Sequence, residues 1–362
     1  MTEDAISIGG ANLTDPQTYA MGMPYDAFRK LRESAPVAWH PYKDGPGFLA
    51  LTGYDGLASM RFADVAIPEP GPHDVLVEVR AATVTPIDGK ITHGYLKGRV
   101  ELALPHVLGR DCAGVVAKVG SAVTGLAPGD HVYGVADQAR WGTQAEYAVM
   151  QAATLARKPS GLAALSLGDI GAGSLPIAGL SAYAGLVAVG KLAGGERVLI
   201  HAGAGGIGAI AVQLAKHLGA IVAATAGAKN IDFVRSLGAD TVIDYGRTDF
   251  STELHDYDLV FDLIGGSVRH RSFRVLKPGG RIVHLSVPPM KQPPPRDDVT
   301  VTLAPVKYDT HLLDRIAELV AGNAIRPVVG AVFAFADALQ AYEHVMTGHA
   351  RGRVMLDMGK HG

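Results

Sequence analysis

Hydrophobic and polar positions divide the chain into three textures. In PYDAFRKLRESA, residues 24–35, Phe28 and Leu31 share one face of a predicted helix, and Pro24 suits its first turn. VAWHPY, residues 37–42, reads as a short extended piece after it. Between about 47 and 170 the apolar runs are short and bounded by Gly, Pro and Asp. FLALTGY, RFADVAI, DVLVEVRAA, AGVVAKVG, DHVYGV and AEYAVM predict strands there, and PEPGPHD at 68–74 is a turn cluster.

From about residue 180 strands alternate with helices. ERVLIHAG is a strand and GGIGAIAVQLAKHLG a helix, with Ile207, Ile210, Ala211 and Leu214 near one face. AIVAATA, DTVIDY, DLVFDLIG and RIVHLSV are further strands, while NIDFVRSLG and SVRHRSFRVLKPGG are predicted helices. This rhythm implies a parallel sheet with right-handed crossovers. PPMKQPPPRDD at 288–298 is a Pro-rich loop, and VTVTLAPV at 299–306 alternates like an edge strand. HLLDRIAELVAGN is an amphipathic helix. PVVGAVF, a helix around ADALQAYEHVMTG, and GRVMLDM close the chain, and no internal repeat is seen.

Helix and strand meet at the strongest chemical signal, VLIHAGAGGIGAIAVQLAKHLGA at 198–220. Gly203, Gly205, Gly206 and Gly208, with Ile207 between, form a G-x-G-x-x-G run that follows a strand and opens a helix. In that context Gly203 permits a tight turn, Gly205 lets backbone approach a pyrophosphate, and Gly208 brings helix and strand close. The helix N-terminus then presents free N–H groups to phosphate. The alternative is a glycine-rich turn without a ligand. The next strand ends Ala223-Ala224-Thr225-Ala226-Gly227-Ala228-Lys229-Asn230, without the carboxylate that holds the ribose of NAD. Thr225 is a hydrogen-bond donor there and Lys229 suits a 2′-phosphate, which favours NADPH over NADH. The plainer reading of Lys229 is a solvated lysine in a first helical turn.

Composition narrows the classes. The 362 residues are 48% hydrophobic and 19% charged, ordinary for a soluble protein and enough for two cores. A net charge of −2 supplies no broad basic surface, which argues against nucleic acid and anionic membrane as partners. No apolar run is read as reaching the roughly 18 residues of a membrane span, and no secretory signal opens the chain. The one cysteine, Cys112, excludes an internal disulfide, so a cytoplasmic protein is expected. Cys112 itself reads as a small buried hydrophobe. His201 reads as a packed histidine at a sheet end, and His40, His93 and His106 have no metal-ligand spacing.

These runs together resemble the medium-chain dehydrogenase/reductase superfamily, in its zinc-independent quinone-oxidoreductase-like branch. The likeness is carried by FLALTGYDGLASMRFADVAIPEPGPHDVLVEVRAATVTPIDGK, LPHVLGRDCAGVVAKVGSAVTGLAPGDHVYG, LPIAGLSAYAGL, GERVLIHAGAGGIGAIAVQLAKHLGA, VRSLGADTVIDY, LKPGGRIVHLS and HARGRVMLDM. In family order they span about residues 47–362. The resemblance implies an α/β protein with a GroES-like β-rich catalytic domain (47–170 and 299–362) and a doubly wound Rossmann domain (171–298), with a cleft between them. Thr85 and Pro86 stand where zinc members carry a catalytic Cys. Arg110-Asp111 replaces their His-Glu pair, and one cysteine cannot build a four-Cys lobe. No metal is expected, and Asp111 reads as an ion-pair partner of Arg110.

Without a Lewis acid, the suited electrophile is one already activated, a quinone or an α,β-unsaturated carbonyl. By family position the candidate catalytic residues are Thr85, Tyr133 and Tyr95. Each also has a plain reading: Thr85 as a turn cap, Tyr133 as core packing, Tyr95 as surface. Water is an alternative proton source. The resemblance adds Ser181, Tyr245, Leu285, Ser286, Arg351 and Arg353 to Gly203, Gly205, Gly206, Ile207, Gly208, Thr225 and Lys229 as cofactor contacts. It also implies a homodimer paired through 299–306. Residues 1–46 are an addition to this branch; residues 12–55 resemble the opening of a bacterial haem-thiolate monooxygenase, without its haem-ligating cysteine signature. There VAWHPY and GFLALTGY are expected to form a hairpin. A non-redox use of the same fold, in cyclisation, elimination or NADPH sensing, stays open.

Overall fold

The computed structural model of the chain describes residues 7–8, 11–12, 47–64, 67–95, 97–98, 102–137, 140, 142–160, 162, 167–285 and 293–359. The helix expected at 24–35, the strand at 37–42 and Ser286 lie outside these residues. A two-residue ladder joins β1 (Ser7–Ile8) to β2 (Ala11–Asn12).

The β-rich domain grows from one long strand. DVLVEVRAATV alternates Val75, Val77 and Val79, all fully buried, and forms β5 (Asp74–Val84). Before it, β3 (Gly47–Leu51) and β4 (Met60–Asp64) pair antiparallel, and β6 (His106–Val107) adds to the other edge of β3. The strand FLALTGY therefore takes its partners from 60–64 and 106–107 among the described residues. A short helix, α1 (Pro86–Thr92), follows β5 directly, with Pro86 at its first turn; it was not predicted. β7 (Asp111–Val119), β8 (His131–Val135), β9 (Tyr147–Gln151) and β10 (Leu155–Arg157) complete the local antiparallel sheet.

Next comes a helical run, α2 (Gly168–Gly173) and α3 (Pro176–Tyr183), the latter continuing as a π-helix through Val189. Residues Gly168–Val189 are long and apolar enough to cross a membrane, which corrects the reading that no such run exists. Most of its apolar part is buried inside the fold, as in a core helix. Its glycines permit the burial: a Cβ at Gly173 would lie 3.2 Å from the Ala113 nitrogen and the Ala81 oxygen.

The second sheet is parallel throughout. Its strands are β11 (Arg197–Ile200), β12 (Ile221–Ala226), β13 (Thr241–Asp244), β14 (Tyr257–Asp262), β15 (Leu276–His284) and β16 (Thr300–Leu303). Their spatial order, β13-β12-β11-β14-β15-β16, is the doubly wound Rossmann order. The helix α4 (Gly206–His217) connects β11 to β12. Ile210, Ala211 and Leu214 are buried, as the periodicity predicts, and so are Ala209, Val212 and Ala215, because α3 covers the other side.

Then follow α5 (Ile231–Ser236), α6 (Phe250–Glu253) and α7 (Gly266–Ser272). The helix predicted over 267–280 stops at Ser272, because Pro278 and two glycines cannot prolong it, and Leu276 already pairs with Tyr257. By hydrogen bonding β16 belongs to the parallel sheet, so residues 300–303 part from the 299–362 segment assigned to the catalytic domain. After α8 (Thr310–Ala321) the chain returns to the first domain through β17 (Val329–Ala334), α9 (Ala338–Met346) and β18 (Arg353–Asp357), which pairs with β5.

Candidate active site

β11 is buried to its end, with Val198, Leu199 and Ile200 at 0% exposure, and its carboxyl end must turn sharply to start α4. The turn is made at Ala202, which adopts φ +54°. The Gly203 N–H donates to the Thr225 carbonyl at 2.9 Å, and the Gly205 N–H donates to the Ala202 carbonyl at 2.9 Å. Two glycines are required by close approach. A Cβ at Gly208 would lie 2.0 Å from the Ala202 oxygen, and one at Gly206 would lie 2.5 Å from Arg353 Cδ. Gly205 is the N-cap of α4; a Cβ there would lie 3.3 Å from the Ala202 oxygen, a tight contact, and the residue borders the space beside the turn.

That space is a cavity of about 340 Å³ between the two domains. Ala202, Gly205 to Gly208, Leu263 and Leu285 line it from the parallel sheet. Val84, Pro86, Val345, Gly352, Arg353 and Val354 line the opposite wall. Arg353 carries the one charged side chain among the described lining residues. Its Nε is buried without a hydrogen-bond partner, and a guanidinium nitrogen meets the Asp111 carboxylate. Backbone N–H groups at a helix start, room for close backbone contact and one guanidinium suit a pyrophosphate.

The C-terminal segment clamps this turn. The Gly352 N–H donates to the Ala204 carbonyl at 2.8 Å. Arg351 reaches past it to the loop after β12, where its Nε donates to Asn230 Oδ1 at 2.9 Å and its Nη2 to the Lys229 carbonyl at 3.3 Å. Its guanidinium also lies 4.7 Å from the centroid of the Phe233 ring. Beside this loop Tyr245 is 59% exposed, its hydroxyl 3.1 Å from where a Gly227 Cβ would stand. Lys229 is exposed. The β12 end thus offers a lysine, a guanidinium and a phenol, and no carboxylate up to Asn230.

The structure does not bring the other candidates together. Tyr133 is fully buried and donates its hydroxyl to the Leu313 carbonyl at 2.5 Å, tying β8 to α8; burial raises its pKa. It is core packing, away from the cavity. Tyr95 is 40% exposed beside Lys90, off the described lining. Ser181 is buried in α3 and also off the lining. Thr225 is 5% exposed and faces behind the turn, where its Oγ1 accepts the Ala202 N–H.

Thr85 sits between the cavity-lining Val84 and Pro86 as the N-cap of α1. Its hydroxyl and its N–H both donate to Asp88 Oδ2, at 2.6 and 2.8 Å. Asp88 is buried, and burial pushes its carboxyl up against the pull of Thr85, Arg353 and Arg110; its Oδ1 has no partner. Asp88 was not singled out from sequence; its i+3 spacing from a capping threonine was the available signal.

Asp111 pairs with Arg353, not with its neighbour Arg110, whose guanidinium stacks on Tyr308 at 4.7 Å. Adjacent residues on a strand point to opposite faces, which separates Arg110 from Asp111. Asp111 Oδ1 also accepts the Ile177 N–H at 3.2 Å. Burial pushes its carboxyl up to about 6, against both guanidinium groups. Cys112 is fully buried against Met150, and burial raises its thiol pKa.

Known proteins share this architecture. Residues 71–160 match the alcohol dehydrogenase GroES-like domain, and residues 237–356 match the zinc-binding dehydrogenase family. The chain is 34% identical over 314 residues to an NADPH-dependent alkenal/one oxidoreductase of Arabidopsis thaliana, covering 84% of this chain and 77% of that one. Among solved structures, the quinone oxidoreductase of Coxiella burnetii superposes with a TM-score of 0.77 at 30% identity, covering 86% of this chain and 99% of its own. A mycobacterial protein complexed with NADPH gives a TM-score of 0.75 at 27% identity, over 86% and 100% of the two chains.

Proposed function

The chain belongs to the medium-chain dehydrogenase/reductase superfamily, and from that premise we propose that it is a zinc-independent, NADPH-dependent oxidoreductase acting on a quinone or an α,β-unsaturated carbonyl. The observation that carries the proposal is the mouth of α4. Four consecutive residues, Gly205 to Gly208, open onto an apolar interdomain cavity with one guanidinium on its far wall. In this reading the amides of that turn and Arg353 hold the pyrophosphate, while Lys229, Tyr245 and Arg351 hold the 2′-phosphate end. Bound there, NADPH supplies the hydride.

The chain's own residues supply the rest. Val84, Pro86, Leu263, Leu285 and Val345 form an apolar surface that excludes water and accepts a flat conjugated electrophile. Zinc-independence rests on how the donors are used. Thr85 is bound to Asp88, Asp111 to Arg353 and the Ile177 amide, and the Arg110 position offers a guanidinium.

A homodimer is part of the proposal. β16 is the edge of the parallel sheet, Leu303 on it is 53% exposed, and an edge ladder invites a second copy. A cytoplasmic setting fits a single thiol buried against Met150.

The test is consumption of NADPH absorbance with a panel of simple quinones and enones. Turnover with at least one, faster with NADPH than with NADH, is the expected result. Saturable NADPH binding without turnover on any member favours the sensing or non-redox alternative.

A further inference from the structure

Behind the glycine turn lies a hydrogen-bond chain centred on a buried histidine that the proposed chemistry does not use. His201 follows β11 directly and is 1% exposed. Its ring lies edge-on to Phe250, with centroids 4.7 Å apart. Nε2 is 2.9 Å from Ser272 Oγ on α7, and Nδ1 is 3.2 Å from Thr225 Oγ1 on β12. Asp262, paired with Arg269 at 2.6 Å, and Arg271 are the charged groups acting on the ring. Burial holds His201 neutral, pushing its pKa down to about 4.

The backbone fixes the direction of this chain at both ends. Ser272 Oγ donates its proton to the Val268 carbonyl at 2.8 Å, so it receives a proton from Nε2. A neutral ring protonated at Nε2 has a bare Nδ1, which accepts the Thr225 hydroxyl proton. The Thr225 oxygen is then oriented to accept the Ala202 N–H, at 3.2 Å. Ala202 is the residue that needs holding. It sits at φ +54° without being glycine, and its carbonyl fills the gap that Gly208 leaves, 2.0 Å from that residue's missing Cβ. That carbonyl also accepts the Gly205 N–H, so its position sets the N-cap of α4, where Gly205 to Gly208 line the cavity. Turning the Ala202 peptide would displace the start of α4.

We propose that His201, acting as an acceptor at Nδ1, is a positioning residue for the cofactor turn. It orients the Thr225 hydroxyl, which locks the Ala202 amide and through it the amides of Gly205 to Gly208. Thr225 acts from behind the turn and touches no cofactor. The inference rests on the proposed NADPH site, since it assigns a role to the support of that site.

Two pairs of variants test it by NADPH titration and steady-state kinetics. Thr225→Val removes the hydroxyl at nearly constant shape and raises the NADPH Kd and KM about tenfold at unchanged kcat, while Thr225→Ser stays within about twofold of wild type. His201→Asn keeps an acceptor facing Thr225 and binds NADPH more tightly than His201→Gln, whose amide reaches toward Ser272 instead. Wild-type binding with equal Kd in Thr225→Val and Thr225→Ser overturns the inference and leaves the functional reading standing. No NADPH binding by the wild type overturns the functional reading and the inference with it.

Discussion

The two walls of the cavity are built on opposite principles. The wall at α4 is backbone: Gly205, Gly206 and Gly208 carry no side chains, and polar side chains such as Thr225 and His201 stand behind them holding the turn. The facing wall is apolar, and the polar side chains behind it bond one another, Thr85 to Asp88 and Asp111 to Arg353, while Asp88 Oδ1 and Arg353 Nε have no partner. Arg353 joins the two, its stem against Gly206 and its head on Asp111, and the Gly352 N–H bonds the Ala204 carbonyl beside it. The difference teaches where specificity resides. In the proposed reading the backbone wall recognises a fixed group with fixed amides, whereas the apolar wall selects substrate by shape.

The strongest way to break this comparison is to put a side chain on the backbone wall. In Gly208→Ala the added Cβ stands 2.0 Å from the Ala202 oxygen, a backbone atom that cannot yield without moving the turn. NADPH affinity is expected to fall about 500-fold, or ~3.7 kcal/mol, with a melting transition still measurable. A Kd within about threefold of wild type would show that the turn is not the binding element.

Acid separates the walls next. His201 has a folded pKa of about 4 against 6.5 when free, so its stabilising contribution is complete above pH 6.5 and is lost as pH falls toward 4, about 3 kcal/mol in all. Asp111 behaves oppositely. Its folded pKa of about 6 lies above the free value of 3.8, so its contribution is fullest below 3.8 and is lost as pH rises through 6. Denaturant midpoints across pH 4 to 7 should therefore lose part of their acid slope in His201→Asn and steepen in Asp111→Asn. The same slope in all three proteins would contradict both assignments.

Much of the backbone wall was legible in the sequence, because glycine spacing, a preceding strand and a following helix are local signals. The structure brings Gly205, Gly206, Ile207, Gly208, Leu285 and Arg353 to one cavity, while Ser286 lies outside the described residues. The apolar wall was less legible, because its partnerships are long-range. Asp111 and Arg353 are 242 positions apart, so no local pattern links them. Among elements, the alternation of strands and helices after residue 196 was readable. The end of α7 was misjudged because the stop signals Pro278, Gly279 and Gly280 lie beyond Leu276, where the strand has already begun.

Smaller effects sharpen the comparison. Lys229→Ala should weaken NADPH about tenfold and leave NADH unchanged, measured as Kd for each; equal losses would remove Lys229 from the choice of cofactor. Tyr133→Phe should cost about 1 kcal/mol of stability, through the lost bond to Leu313, with kcat unchanged. A tenfold fall in kcat at unchanged stability would return Tyr133 to the chemistry.

The most direct measurement is a titration of the purified wild-type chain with NADPH and NADH, followed by nucleotide fluorescence and by calorimetry. A saturable signal with both, tighter for NADPH, is the predicted result. Flat titrations with both nucleotides would contradict the account at its root.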